Sequence, residues 1–240
     1  RPKLGGRAAK RAARAQFEPG TVNQLVPPAP AATTRMADLL NMSAPAYRER
    51  FQPRTREQYL VAVATLWNML DRNIERKLKG CRRGPRCPGT PYGYMRPAQL
   101  EHYSSFVWDK GPQIYCEVGF NGGHGTVAMM LANSRLTVHS FELAGYLYTM
   151  PAMELVQDYF GERFHFYRGD STKLVPAFAR NASHSCDVLL VDGDHRFKGA
   201  FADIKSMRKL AKPGAVLLID DLDGARAASN PHATRATRSG

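Results

Sequence analysis

Acidic side chains cluster in two short segments, each directly after an apolar run. The first segment is Asp192-Gly193-Asp194-His195, and the second is Asp220-Asp221. Clustered carboxylates repel one another unless they bind a cation, and an all-oxygen set suits Mg²⁺ or another hard divalent ion better than zinc. Asp192, Asp220 and Asp221 are therefore candidate metal ligands. The structural alternative is a helix cap for the second segment and an ion pair for Asp194.

A glycine-rich turn follows an earlier apolar run and could hold a nucleoside. It begins Glu117-Val118-Gly119-Phe120-Asn121-Gly122-Gly123-His124. Glycines let a backbone turn sharply and approach a ligand closely, and the free amides at the start of the next helix favour a negative group. The turn does not fit G-x-G-x-x-G, because Asn121 occupies the middle position. An NAD-linked oxidoreductase is therefore the least favoured enzyme class.

Two further acidic positions end the next apolar runs along the chain. Glu142 could accept hydrogen bonds from both hydroxyls of a ribose, and Gly169-Asp170-Ser171 could meet an adenine edge. Taken alone, each is more often a solvated carboxylate or a cap. Together with the glycine-rich turn, they favour a nucleoside site.

These residues require elements that bring them to one place. Five short runs rich in strand-forming residues are separated by stretches long enough for helices, which predicts a parallel sheet with helices on both faces and right-handed crossovers. Ligands of such α/β, Rossmann-like doubly wound sheets bind beyond the carboxyl ends of the strands. The runs are Ile114–Val118, Thr137–Phe141, Phe164–Tyr167, Val188–Val191 and Ala215–Ile219.

The N-terminal part of the chain differs in character from this region. Residues 1–34 are rich in Ala, Arg and Pro and predict a disordered basic arm. Residues 35–95 predict a helical extension followed by a Gly/Pro-rich loop, with a strong amphipathic helix over Arg56–Lys79. We expect this helix to pack against the sheet or to form a homodimer interface rather than to act in catalysis.

The motifs at the five strand ends resemble those of a known enzyme family. The strings E-V-G-F-N-G-G-H, F-E, G-D-S, V-D-G-D-H and I-D-D occur in this order between residues 117 and 221. In combination they resemble class I S-adenosylmethionine-dependent methyltransferases, most closely the macrocin-type O-methyltransferase branch. The similarity covers about residues 95–223, so the predicted domain is 96–223.

The resemblance implies a cofactor, a metal and a role for each matching residue. S-adenosylmethionine would donate the methyl group, and Mg²⁺ or another divalent cation would orient vicinal hydroxyls of a small-molecule acceptor. The base would be Asp194, with His195 as the alternative. The metal ligands would be Asp192, Asp220 and Asp221. The cofactor-binding residues would be Glu117, Gly119, Asn121 and Gly123 near the methionine end, Glu142 at the ribose, Asp170 and Ser171 at the adenine, and Asp192 beside the cofactor.

The sequence departs from this family after the fifth predicted strand. Class I methyltransferases normally continue with a helix and an antiparallel hairpin, but residues 224–240 contain no strand-like run. The hairpin is therefore predicted to be missing, and residues 224–240 are predicted to be a flexible tail. This departure bears on the acceptor pocket more than on the cofactor site.

Charge and composition narrow the possible partners. The net charge of +13 lies on the flanks, because residues 1–20 carry +5, 35–95 carry +7 and 224–240 carry +3, whereas 96–223 carry −2. This distribution favours a small-molecule hydroxyl acceptor over nucleic acid. An RNA or protein methyltransferase and a non-catalytic cofactor-binding or assembly subunit are the alternatives.

Localisation is inferred from three simple features of the sequence. No apolar run reaches the roughly 18 residues of a membrane-spanning helix, so no membrane partner is expected. Four scattered cysteines do not suggest a disulfide framework, which makes a reducing, cytoplasmic compartment the default. The basic, acid-poor N-terminal arm also resembles an organellar targeting segment.

Overall fold

The computed structural model describes residue 53, residues 55–81, 84, 86, 87 and 95, and residues 97–220. Two helices come first, α1 (Arg56–Leu78) and α2 (Pro97–Lys110). The remaining elements are β1 (Ile114–Val118), α3 (His124–Ala132), β2 (Thr137–Glu142), α4 (Thr149–Phe160), a 3₁₀ turn (Gly161–Arg163), β3 (Phe164–Arg168), α5 (Ser171–Ala182), β4 (Cys186–Val191), α6 (Phe197–Met207) and β5 (Ala211–Ile219).

The five strands form one parallel sheet in the order β3-β2-β1-β4-β5. Alternate residues of β1 enter two separate cores, because successive side chains of a strand point to opposite faces. Tyr115 joins the core formed with α1 to α4, whereas Cys116 and Val118 join the core formed with α5 and α6. The predicted Rossmann-like, doubly wound α/β fold is confirmed.

All five predicted strands are present, and the last two are longer than expected. β4 begins at Cys186 and β5 at Ala211. Pro213 and Gly214 interrupt the apolar pattern of β5, which hid its first half from a reading of the sequence. The pairing of β4 with β5 also shifts register between Cys186 and Val188.

Helix α1 begins and ends within one residue of the predicted bounds. The Thr55 hydroxyl caps its first turn by accepting a hydrogen bond from Gln58 N at 3.2 Å. Its apolar face is buried, and the Tyr59 hydroxyl donates to Ala128 O of α3 at 3.2 Å. Helix α1 therefore packs onto the helical layer that covers one face of the sheet. Packing was one of the two roles predicted for it.

The structure corrects the expectation for the cysteines, since it pairs all four of them in two disulfides. Cys81 pairs with Cys87 across a short turn, and Cys116 of β1 pairs with Cys186 of β4, with Cα atoms 6.0 Å apart in the second pair. The 70-residue separation of the second pair concealed it, because only the adjacency of β1 and β4 brings the two residues together. The compartment remains a prediction.

Several predictions fall outside the described residues. These are the disordered arm 1–34, the absent hairpin and tail at 224–240, and the metal ligand Asp221. Among the described helices, none combines the length and the apolar character that a bilayer crossing requires.

The two disulfides should contribute unequally to stability. A cross-link restricts the unfolded chain more when it closes a longer loop, so replacing Cys116 and Cys186 by Ala should lower the free energy of unfolding by about 4 kcal/mol. The Cys81→Ala/Cys87→Ala double variant is the control and should lose only about 2 kcal/mol. Denaturant titration measures both, and alkylation of the unfolded, unreduced wild type should label no cysteine. Full alkylation without reductant would contradict the pairing.

Candidate active site

Backbone hydrogen bonds show that the predicted site residues meet at one edge of the sheet. Each strand end is tied to its neighbour, because parallel strands end side by side. The amide donors and carbonyl acceptors are Gly119 to Phe141 (3.0 Å), Gly169 to Glu142 (2.8 Å), Asp192 to Val118 (2.9 Å) and Asp220 to Val191 (3.1 Å). The residues that follow β1 to β5 therefore share one rim, with the reversal of strand order at β1.

The glycine-rich turn after β1 has a backbone that few residues could adopt. Gly119, Asn121 and Gly123 have φ of 101°, 52° and 84°. A Cβ atom on Gly119 would overlap the carbonyl of Asp192, and one on Gly123 would lie 2.7 Å from the Phe120 ring. The turn thus needs glycine both for its conformation and for its close approach to the segment after β4.

Glu142 faces this turn from the end of β2. One carboxylate oxygen accepts from Asn121 N at 2.9 Å and the other from Ala144 N at 2.7 Å. The Tyr148 hydroxyl donates to the Asn121 side chain at 2.8 Å, which holds the turn from a second direction. Sequence reasoning missed Tyr148, because its position before α4 carries no motif.

Glu117 lies beneath the turn rather than on its surface. Only 1% of it is exposed, and its carboxylate accepts a hydrogen bond from the Thr126 hydroxyl. Burial raises the pKa of Glu117, while the hydroxyls of Thr126, Ser140 and Tyr115 oppose that rise. Glu117 is therefore placed to anchor the start of α3 to β1.

The third strand end is built around a helix cap. The Asp170 carboxylate accepts from Thr172 N at 3.0 Å and from the Thr172 hydroxyl at 2.6 Å, and these bonds lower the pKa of Asp170. The Ser171 hydroxyl donates at 2.7 Å to Asp203, which is fully buried and whose pKa burial raises. The cap that sequence analysis left open as an alternative for Asp170 is present, and Asp203 was missed.

The segment after β4 contains the ion pair that was the alternative reading of Asp194. Its carboxylate accepts from Nε and Nη2 of Arg196, each at 2.9 Å, and Arg196 lowers the pKa of Asp194. Gly199 makes room for this carboxylate, since a Cβ atom there would overlap it. Asp192 is half-buried and His195 is exposed. An ion-paired carboxylate is a weaker base than a solvated one, so this contact bears directly on the predicted role of Asp194.

The described residues do not show the predicted metal site, although two of its predicted ligands lie at neighbouring strand ends. Asp192 and Asp220 follow adjacent strands, and Asp220 accepts a hydrogen bond from the Gln99 side chain at 2.8 Å. Across residues 97–220 and the shorter described stretches, no three His, Cys, Asp or Glu side chains gather closely enough to hold an ion. Two carboxylates at neighbouring strand ends fit a hard cation chemically, and Asp221 is the predicted third ligand.

Residues 116–222 match the model of a family described as a methyltransferase domain. Over this segment the chain is similar to a methyltransferase domain. The predicted recognition is therefore confirmed at the level of the family. No curated protein matches the chain.

Solved structures share the fold of this chain. An O-methyltransferase from Bacillus cereus in complex with SAH is 16% identical, with 81% of this chain and 83% of that chain covered and a TM-score of 0.56. The O-methyltransferase TomG from Streptomyces achromogenes, involved in tomaymycin synthesis and in complex with SAM, is 14% identical, with 82% and 84% covered and a TM-score of 0.53. At these identities the similarity shows the fold.

The close approach at Gly119 yields a direct test of the site. Gly119→Ala should unfold the turn or abolish cofactor binding, because the new methyl group meets backbone and φ is unfavourable for Ala. The matched control is Gly125→Ala within α3, where a Cβ atom would make only ordinary contact, 3.5 Å from Met95. Thermal unfolding and calorimetry with S-adenosylmethionine measure both variants. Equal affinity and stability in the two would contradict the description of the turn.

Proposed function

We propose that this enzyme transfers the methyl group of S-adenosylmethionine to a hydroxyl oxygen of a small molecule, with assistance from a divalent cation. The observation that carries the proposal is the hydrogen bond between Asn121 N and Glu142, which joins the glycine-rich turn to an acidic side chain on the neighbouring strand. A turn and a carboxylate so arranged fit a nucleoside whose ribose hydroxyls reach the carboxylate beside the turn. The SAH- and SAM-bound O-methyltransferases of similar fold support the choice of cofactor and of oxygen as acceptor.

Different residues of the rim would bind different parts of the cofactor. The amides of the turn from Gly119 to Gly123 would receive the methionine end, and Glu142 would receive the ribose hydroxyls by exchanging one of its present amide partners for them. Asp170 and Ser171 lie one strand further along, where the adenine would sit. Asp192 follows β4, beside the turn and towards the acceptor side.

The chemistry requires alignment and the removal of one proton. S-adenosylmethionine supplies a sulfonium that already activates its methyl group for attack. The acceptor hydroxyl gives its proton to the protein, its oxygen bonds to the methyl carbon, and the carbon–sulfur bond breaks with its electron pair on sulfur. Holding the three atoms in line is the main contribution of the protein.

Two neighbouring side chains could take the proton. Arg196 keeps Asp194 ionised but weakens it as a base. The exposed imidazole of His195 lies next to this ion pair and is the alternative proton acceptor. We therefore place the proton transfer on the Asp194–His195 segment.

A cation would act on the acceptor rather than on the cofactor. When bound, a divalent ion supplies Lewis acidity that makes a coordinated hydroxyl easier to deprotonate. Asp192, Asp220 and Asp221 would hold it, and the Gln99 side chain would orient Asp220 from α2.

A second candidate function is methylation of RNA. The exposed surface of α1 carries Arg72, Arg76 and Lys77, and Lys79 follows as its C-cap, although the opposite face of the helix packs in the core. RNA binding that weakens steeply with salt and disappears on neutralising these four side chains would favour it.

A homodimer through the helical extension remains a prediction, which light scattering tests. Cofactor binding without turnover on any hydroxyl acceptor would favour a non-catalytic subunit.

The cofactor proposal predicts specific binding of S-adenosylmethionine that depends on Glu142. Glu142→Gln should weaken binding about tenfold, because the amide nitrogen cannot accept hydrogen bonds from the turn or from the ribose. Glu154→Gln, at an exposed position of α4, is the control and should bind like the wild type. Isothermal calorimetry measures all three. Absence of binding by the wild type would overturn the proposed function.

The metal proposal predicts that Asp220 affects turnover and not cofactor affinity. Asp220→Asn retains an oxygen for the Gln99 side chain but loses the negative charge that a cation requires. Turnover on a vicinal-diol acceptor should fall about tenfold or more, while the Kd for S-adenosylmethionine stays unchanged. Wild-type activity should also fall on chelation and return with added Mg²⁺. Wild-type activity that is indifferent to chelator would contradict the cation.

A further inference from the structure

The cofactor turn is held in part by a helix outside the methyltransferase match. Trp67, Asp71 and Ile74 lie on one face of α1, since residues three and four apart share a helix face. The Trp67 indole donates to the His124 carbonyl at 3.0 Å, and its ring meets the His124 ring edge-on. The Ile74 side chain lies against Gly122, where a Cβ atom would come within 3.0 Å of its Cδ1. Helix α1 thus contacts the last part of the turn directly.

The polar contact in this arrangement joins Asp71 to His124. The Nε2 atom of His124 lies 3.0 Å from Asp71 Oδ1. A carboxylate only accepts hydrogen bonds, so Nε2 carries the proton and donates. The other ring nitrogen points to the turn, 3.2 Å from where a Cβ atom of Gly122 would lie. The imidazole therefore connects α1 to the turn.

We propose that Asp71 is a positioning residue for the methyl-transfer reaction, because it fixes His124 and thereby holds the cofactor turn in its binding conformation. This inference rests on the proposed function. Three residues of the turn have left-handed backbone conformations, which persist only where the surrounding contacts determine them. A turn held in place before the cofactor arrives loses less freedom on binding.

The carboxylate of Asp71 is not needed to attach α1 to the domain. Tyr59, Val63, Leu66 and Leu70 are buried on α1 and supply that packing without it. The Asp71 side chain is 36% exposed, whereas His124 is 2% exposed. Loss of the Asp71 carboxylate would thus leave the apolar interface intact. It would also remove the acceptor of the buried His124 Nε2 donor, and the free-energy cost of that loss would favour local opening of the turn.

The test separates positioning from packing through four variants of the full chain. Asp71→Ala removes the acceptor, His124→Ala removes the donor, and the double variant removes both. Asp71→Asn keeps an oxygen that can accept from Nε2. Glu75→Ala, one turn further along α1 and exposed, is the matched control. Calorimetry with S-adenosylmethionine gives Kd, and thermal unfolding identifies a temperature at which every compared variant is folded.

We expect Asp71→Ala to raise the Kd for S-adenosylmethionine about tenfold, with Asp71→Asn within about threefold of the wild type. The double variant should bind no more weakly than His124→Ala, because Asp71 acts through His124. Glu75→Ala should bind normally. Should His124→Ala fail to fold, the comparison of Asp71→Ala with Asp71→Asn still decides.

Wild-type affinity in folded Asp71→Ala would overturn the positioning role while leaving the proposed function intact. The same holds if Asp71→Asn is as weak as Asp71→Ala, since the accepting oxygen would then be irrelevant. No binding by the wild type and by Glu75→Ala would instead overturn the proposed function, and the positioning role with it.

Discussion

Strand β1 pairs in parallel with β2 on one side and with β4 on the other, and every feature of the candidate site follows from that placement. The register aligns the end of β1 with the ends of both neighbours. It also decides which side chains face each core, since a slip by one residue would exchange the buried Glu117 with Cys116. The strand order reverses between β1 and β4, which is where doubly wound sheets bind their ligands.

At Gly119 the segment after β1 approaches the segment after β4 closely. The backbone leaving β1 passes so close to the carbonyl of Asp192 that no side chain fits between them. The turn that follows is then held from three directions, by Glu142 of β2, by Tyr148 before α4 and by α1 through His124. The helix that contacts this turn, α1, lies outside the segment that matches the family.

The carboxylates of the rim differ mainly in their hydrogen-bond and ion-pair partners. Glu117 is buried among hydroxyl groups, Asp170 caps a helix, Asp194 pairs with Arg196, and Asp220 accepts from Gln99. These partners lower the electrostatic cost of gathering acidic groups at one edge. The same partners distinguish the carboxylates that anchor the fold from those that remain accessible to ligands.

The sequence by itself determined the elements and the positions of chemical interest. Strand and helix periodicity is local, so α1 and the first three strands could be located to within one residue, and parallel strands necessarily bring their ends together. Only the tertiary structure decided which partner each side chain takes. The Cys116–Cys186 disulfide, the Asp71–His124 contact and the hydrogen bond from Gln99 to Asp220 join residues far apart in the chain. Such pairings depend on how helices pack across the sheet, and the spacing of residues along one element carries no information about a partner on another.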